Sequence, residues 1–242
     1  MSSGAALRGA FAFLTPVFPP RPATPEAVGW FPVVGAAIGA VEGLLWRSVR
    51  RRWPPLPAAG LIVGADVALT GALHLDGLAD SADGLFAHVL SKDRLAVMTA
   101  PDLGAFGATA LGLALLGRTA ALSALDASPP LLAALACGSR SVMALAIGCL
   151  PYARETGLVS AFCSTDGRRR ARRAGLAGLA AALGLGALAA GGRGAVSVGS
   201  GSLAASAVLV LARRRLGGYT GDVLGAAGTV FEIAGLLTAA RA

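Results

Sequence analysis

The chain has 242 residues, 55% of them hydrophobic and only 14% charged, with a mean hydropathy of +0.68. A soluble domain carries about a quarter charged residues, so this composition weighs against a soluble core and for an all-α, polytopic membrane bundle. Net charge is +8, but the arginines stand beside apolar runs, as positive-inside loops do. No aromatic residues interleave with them to stack bases, so nucleic acid is not an expected partner.

The expected architecture is one integral-membrane domain, residues 1–242, of about six to seven helices with some half-spanning. The segment Met1–Ala12 has one arginine and no clear apolar stretch followed by a cleavage site, so no cleaved leader is expected. Leu7–Pro20 is apolar but short, breaks at PPRPATP and is expected at the membrane interface. Val28–Trp46 is the first strong span, ended by RSVRRRWPP. Ala58–Leu73 is short for a crossing and contains Asp66. The acidic segment LHLDGLADSADGL, Leu73–Leu85, follows directly. Gly104–Leu125 is interrupted by Arg118, and Leu131–Leu150 carries Arg140 near its middle. A polar connection, Pro151–Arg173, leads to Ala174–Ala190 and Leu203–Ala212, which a glycine/serine-rich turn, GGRGAVSVGSGS, is expected to join. After RRRLGGYTGD comes the last helix candidate, Val223–Ala240.

The 34 glycines suit close helix approach in lipid, where no hydrophobic drive brings helices together. Gly35/Gly39 and Gly217/Gly221 have small-xxx-small spacing, and such faces also permit self-association. Cys137, Cys149 and Cys163 lack metal-ligand spacing and read as packing residues. By parity of spans, Asp83, Arg168–Arg173, Arg213 and Asp222 share one side, which the arginines assign to the cytoplasm. Arg50–Arg52 conflict with this assignment, and a re-entrant or half-spanning Ala58–Leu73 is the expected resolution.

Asp76, Asp80 and Asp83 fall at i, i+4 and i+7, at about 0°, 40° and −20° around a helix. Gly77 and Gly84 lie together beside them, leaving bare backbone that a large ligand is expected to approach. Each ionised carboxylate costs about 2.5–3.5 kcal/mol on membrane-insertion scales, so something must compensate. Protonation, arginines or a hard divalent cation would do so; a solvated face at the membrane surface is the plainer reading. His74 points about 200° from Asp76 and is a base, a ligand or a satisfied surface histidine. In GGYTGD, Thr220 is a natural helix cap whose following amides, from Gly221 on, favour phosphate oxygens. Asp222 adds a fourth carboxylate, and Glu232 lies ten residues on. Arg140 needs a partner inside the bundle: a phosphate, which a guanidinium matches bidentately, or an aspartate of this protein. Lys92, Asp93 and Arg94 read as a solvated charge run.

LTGALHLDGLADSADGL resembles the signature of the cobalamin synthase family (adenosylcobinamide-GDP ribazoletransferase). GGYTGDVLGA with Glu232, GAFG at Gly104–Gly107 and FPVVGAAIGA at Phe31–Ala40 fit the same family in order and spacing. The resemblance implies a Mg²⁺-dependent membrane enzyme that joins adenosylcobinamide-GDP to α-ribazole, or its 5′-phosphate, and releases GMP. It implies Asp76, Asp80, Asp83 and Asp222 as acidic metal positions, with Arg140 at the expected place of an arginine. The family has an aspartate where this chain has Ala100, in APDLG, so Asp102 is the shifted candidate. Thr220, Gly221, Asp102 and Glu232 are the expected substrate-binding residues. Asp83 or His74 is the expected proton acceptor, with Arg140 sharing the developing charge. Two Mg²⁺ sites between the Asp76–Asp83 face and Asp222 are expected, in a bacterial inner membrane with the site facing the cytoplasm. The CDP-alcohol phosphotransferases, which also place aspartates on membrane helices, are the runner-up among enzymes, although Leu-Ala-Asp follows the Asp-Gly here where their pattern has an Ala-Arg pair. A cation-coupled transporter is the rival of a different class, and the chain shows no repeat of the kind such folds use.

Overall fold

In lipid, every backbone amide and carbonyl must be paired within the chain, so apolar runs become helices even when rich in glycine. The computed structural model, which describes residues 2–241, is helical accordingly. The helices are α1 (Ser3–Leu14), α2 (Phe31–Val49), α3 (Pro55–Thr70), α4 (Leu73–Phe86), α5 (Arg94–Val97), α6 (Ala105–Ser123), α7 (Pro129–Cys149), α8 (Thr165–Leu216) and α9 (Gly221–Ala239). Among the described residues, five helices are long and apolar enough to cross a membrane, and α3 with α4 forms a further passage bent by 91°. The protein is a polytopic membrane helical bundle.

α8 turns back on itself. Only Ala190 and Gly191 leave helical geometry, Gly191 with φ 58°. A β-carbon on Gly186 would stand 2.8 Å from the Gly194 carbonyl oxygen, so the residues flanking the break touch as a hairpin. The arms 165–189 and 192–216 are each about 37 Å long at 1.5 Å per residue, enough to cross separately. The expected glycine/serine-rich turn is therefore two residues long. The rest of GGRGAVSVGSGS is helix, because lipid offers its backbone no other hydrogen-bond partner.

α7 is the hub, buried almost throughout between α2, α8 and α9. Gly35, Gly39 and Gly43, four residues apart, turn one bare stripe of α2 onto it. A β-carbon on Gly39 would lie 2.7 Å from the Leu132 carbonyl carbon and 2.8 Å from Ala136 Cβ. Gly217 plays a different part. It ends α8 with φ 80° and nothing packed against it, while Gly221 begins α9 near Val159. Only the first small-residue pair is a helix contact.

Gly43 rests on Pro129 at the start of α7. The end of α2, and so Arg50–Arg52, therefore lies at the opposite end of the bundle from Cys149 and the 151–164 segment. α3 and α4 together pass from that far end toward the other, so Ala58–Leu73 goes only part of the way and does not return to the side it left, which fits the half-spanning and not the re-entrant expectation. The arginines of the 47–52 cluster remain on the minority-positive side, an outcome the parity argument did not allow for.

Candidate active site

The bend between α3 and α4 is set by two successive left-handed residues, Gly71 (φ 61°) and Ala72 (φ 58°). Gly71 is an ordinary helix terminator, whereas an L-residue such as Ala72 adopts this conformation at a cost of about 1–2 kcal/mol. The amide of Ala72 donates to Val67 O at 3.0 Å, which closes α3 and starts α4 at a new angle. α4 thus begins beside Arg140, midway along α7, and ends beside Gly104 at the start of α6.

Asp76 is exposed, and Asp80 and Asp83 are half-buried on the same side of α4. The glycines beside them are covered by protein rather than left for a ligand. A β-carbon on Gly77 would sit 2.9 Å from Asp222 Cα, and one on Gly225 would sit 3.1 Å from His74 Cα. Gly84 packs against Met98 and the Arg94 carbonyl. This bare contact between α4 and α9 is what brings Asp222 to the acidic face of α4. Asp80 lies within the field of Asp76, Asp83 and Asp222, with Arg154 as the facing cation.

Asp83 is held differently from its neighbours. Its Oδ2 accepts from the Gly104 amide at 2.8 Å and its Oδ1 from the Gly107 amide at 2.9 Å. It caps α6, pairing two of the four free amides at that helix end and placing negative charge at the positive pole. A β-carbon on Gly104 would lie 2.7 Å from Asp83 Cγ, which accounts for the glycines of GAFG. Each Asp83 oxygen accepts one amide, so in this geometry Asp83 positions the start of α6 while keeping a further lone pair on each oxygen.

Behind the acids, deeper in the bundle, lies a buried charge network. Arg118 donates to Asp66 Oδ2 at 2.6 Å and to Glu42 Oε2 at 3.0 Å, and lies 3.3 Å from Glu232 Oε2. Arg140 pairs with Glu232 Oε1 and reaches His74 Nδ1 at 3.3 Å. The partner of Arg140 is a carboxylate of the protein, but that of Glu232 rather than the expected aspartate. An arginine only donates, so Nδ1 of His74 accepts and the ring proton resides on Nε2. His74 therefore offers a donor, not a basic lone pair, at the wall of a cavity.

Thr220 is buried and caps α9, its hydroxyl accepting from the Val223 amide at 3.2 Å and donating to Asp222 Oδ2 at 3.2 Å. The preceding residues are strapped to the 151–164 segment. Tyr219 N donates to Pro151 O at 3.0 Å and Ala153 N to Tyr219 O at 2.9 Å. Burial raises the Tyr219 phenol well above its usual range, with Cys163 adding to the effect, and burial raises Tyr152 too. Both therefore stay protonated and serve as packing and hydrogen-bonding groups. The strap carries Arg154 to within 2.9 Å of Asp222 Oδ2.

Two cavities flank α4. The smaller, about 100 Å³, is walled by Phe13, Phe31, His74, Asp76, Gly221 and Asp222 among others. The larger, about 610 Å³, opens between α4, α6 and the 98–103 segment, and includes Asp76, Asp80, Ala100 and Asp102. Asp76 lines both.

The family model described as cobalamin-5-phosphate synthase matches residues 6–240. The chain belongs to the cobalamin-5-phosphate synthase family. It is similar to the adenosylcobinamide-GDP ribazoletransferase of Leptothrix cholodnii, 37% identical over 222 residues covering 86% of this chain and 81% of the relative. It is also similar to the adenosylcobinamide-GDP ribazoletransferases of Shigella dysenteriae and Escherichia coli, each 39% identical over 86% of this chain and 84% of the relative. No solved structure matches.

Within this cobalamin-5-phosphate synthase chain, the replacement of the expected aspartate by Ala100 is a local matter. Ala100 and Asp102 line the same open cavity, and Asp102 is exposed there. Arg94, read from sequence as solvated, is buried and donates to Gly84 O at 2.8 Å and Leu85 O at 2.9 Å, closing the end of α4. Arg215 adds a bond to Leu85 O at 2.9 Å. Arg154 was missed because it sits in a polar connection with no motif, next to Glu155, where a charge is ordinary. The cysteines are free, with Cys137 buried and Cys149 exposed.

Among the described residues, no three His, Cys, Asp or Glu side chains already close around one point. The donor chemistry nevertheless suits a hard divalent cation. Asp76, Asp80 and Asp222 offer oxygen only, and their mutual repulsion is what a cation relieves.

Proposed function

We propose that this chain joins adenosylcobinamide-GDP to α-ribazole, or to α-ribazole 5′-phosphate, with release of GMP in the last stage of cobalamin synthesis. The observation that carries this reading is the family match from residue 6 to 240 falling on a fold whose α4 acids meet Asp222 between two cavities. In the reaction, a ribazole hydroxyl oxygen bonds to the phosphorus bearing the cobinamide. The bridging P–O bond breaks, GMP departs with its electron pair, and the hydroxyl proton passes to a base.

The large, open cavity suits the bulky nucleotide-linked corrinoid. The small cavity, with Phe13 and Phe31, suits the aromatic base of the ribazole. Asp76, which lines both, is the carboxylate placed to take the proton. His74 donates from Nε2 to an oxygen at the junction. Asp83 fixes the start of α6 and with it the rim that carries Asp102. Asp80 and Asp222, with Asp76 beside them, are the carboxylates that would hold Mg²⁺. When bound, Mg²⁺ supplies neutralisation of charge on the diphosphate and the departing GMP.

Arg154, Arg168–Arg170, Arg172, Arg173 and Arg213–Arg215 gather at the site end, outnumbering Arg47 and Arg50–Arg52 at the other. By the positive-inside rule the site faces the cytoplasm, in a bacterial inner membrane. The test is purified protein in detergent, where no gradient can drive transport, with adenosylcobinamide-GDP, α-ribazole and Mg²⁺. GMP and cobalamin are expected in equal amounts and both disappear with EDTA. GMP without the corrinoid product, or neither from folded protein with either ribazole form, contradicts the reading.

A further inference from the structure

We propose that Arg154 is the phosphate-binding arginine of this site, held in reserve by Asp222 until an anion takes its place. The inference rests on the reaction just proposed for the choice of ligand, a diphosphate, and on geometry for the residue.

The other arginines near the acids are already committed. Arg118 makes directed Nη bonds to Asp66 and Glu42, and Arg140 pairs through Nη1 with Glu232 and contacts His74, leaving only the Nε of each without an acceptor. Both lie behind the α4 acids, inside the bundle. Arg154 differs in each respect. It stands on the 151–164 segment at the mouth of the site, fixed there by the Pro151–Tyr219 and Ala153–Tyr219 hydrogen bonds. Gly218 lets that strap lie flat, since a β-carbon there would stand 2.9 Å from the Pro151 carbonyl carbon.

The Arg154 guanidinium is close to Asp222 but poorly bonded. Nη2 is 2.9 Å from Asp222 Oδ2, yet neither Nη2 nor Nε has a hydrogen-bond acceptor, although both atoms are shielded from solvent. The contact is one of charge without direction. Asp222 Oδ2 already receives the Thr220 hydroxyl at 3.2 Å. A guanidinium with unmatched donors is poised for a planar, multidentate acceptor, which phosphate oxygens provide. Asp222 in turn gains freedom to serve a cation when Arg154 leaves it. The two exchanges favour each other: an anion draws off Arg154 and a cation draws off Asp222.

The test measures binding of inorganic pyrophosphate, and separately of GMP, to metal-free protein in detergent, by titration calorimetry at low salt. Wild type is expected to bind weakly, because Asp222 competes for Arg154. Asp222→Asn removes the competitor and is expected to tighten pyrophosphate binding at least tenfold. Arg154→Gln weakens it below wild type, and the double variant behaves as Arg154→Gln does. Arg154→Lys restores charge without the fork and recovers only part. Thermal unfolding of each variant in the same detergent separates binding from folding. Unchanged affinity in Arg154→Gln, or a gain in Asp222→Asn that survives in the double variant, overturns the proposal. Because no turnover is measured, failure of the ribazoletransferase reading alone leaves these binding outcomes intact.

Discussion

Two sets of charges meet near the α3–α4 bend, and they are built on opposite plans. The inner set, Glu42, Asp66, Arg118, Glu232 and Arg140, is buried, and its arginines make close ion pairs with its carboxylates. The outer set, Asp76, Asp80 and Asp222, faces two cavities and has one loosely bonded arginine, Arg154. Buried ions need mutual pairing to offset desolvation, so the inner set ties α2, α3, α6, α7 and α9 into one frame. The outer set is left short of positive charge. That deficit is what a cation and a phosphate would fill together. His74 joins the two, bonded to Arg140 on one side and lining the small cavity on the other.

The sharpest break in the comparison comes from single substitutions on each side. Asp76→Asn should lower kcat by roughly 10²–10⁴ while leaving the unfolding temperature in detergent unchanged, as GMP release and thermal unfolding would report. Arg118→Met should do the reverse. It strands two buried carboxylates, Glu42 and Asp66, while Glu232 keeps Arg140, and should destabilise the bundle by about 3–5 kcal/mol, seen as a large fall in folded yield and unfolding temperature. Removing the stranded charges with Glu42→Gln and Asp66→Asn should recover part of that loss. Gly39→Leu, which forces α2 off α7, should cost about 1–3 kcal/mol and move stability alone. Asp83→Asn should weaken the cap on α6 by about 1 kcal/mol. Its activity should fall through a higher KM for the nucleotide substrate more than through kcat, because the rim carrying Asp102 loosens.

Much of this was legible in sequence because lipid narrows the choices. Apolar runs had to be helices, and the i, i+4, i+7 spacing put the α4 acids on one face. The cap at Thr220 followed from its place before an apolar run. What was not legible depended on which helices touch. Gly77 and Gly84 looked like an open surface, but Asp222 and Met98 cover them. Asp83 looked like its neighbours, and only the approach of Gly104 and Gly107 distinguishes it. Arg94 and Lys92 read alike, yet one closes a helix and the other is exposed. The glycine/serine-rich run read as a turn because those residues break helices in water, where backbone groups can bond to solvent instead. The far-end arginines show that charge bias gives a majority side without placing every cluster.

The most direct test of the account is a paired measurement on Asp80→Asn: GMP release with adenosylcobinamide-GDP, α-ribazole and Mg²⁺, and thermal unfolding in the same detergent. The account predicts that turnover is lost while the unfolding temperature matches or exceeds wild type, since a crowded negative charge has been removed. Wild-type turnover in folded Asp80→Asn would contradict it, and would move the chemistry away from the outer acids.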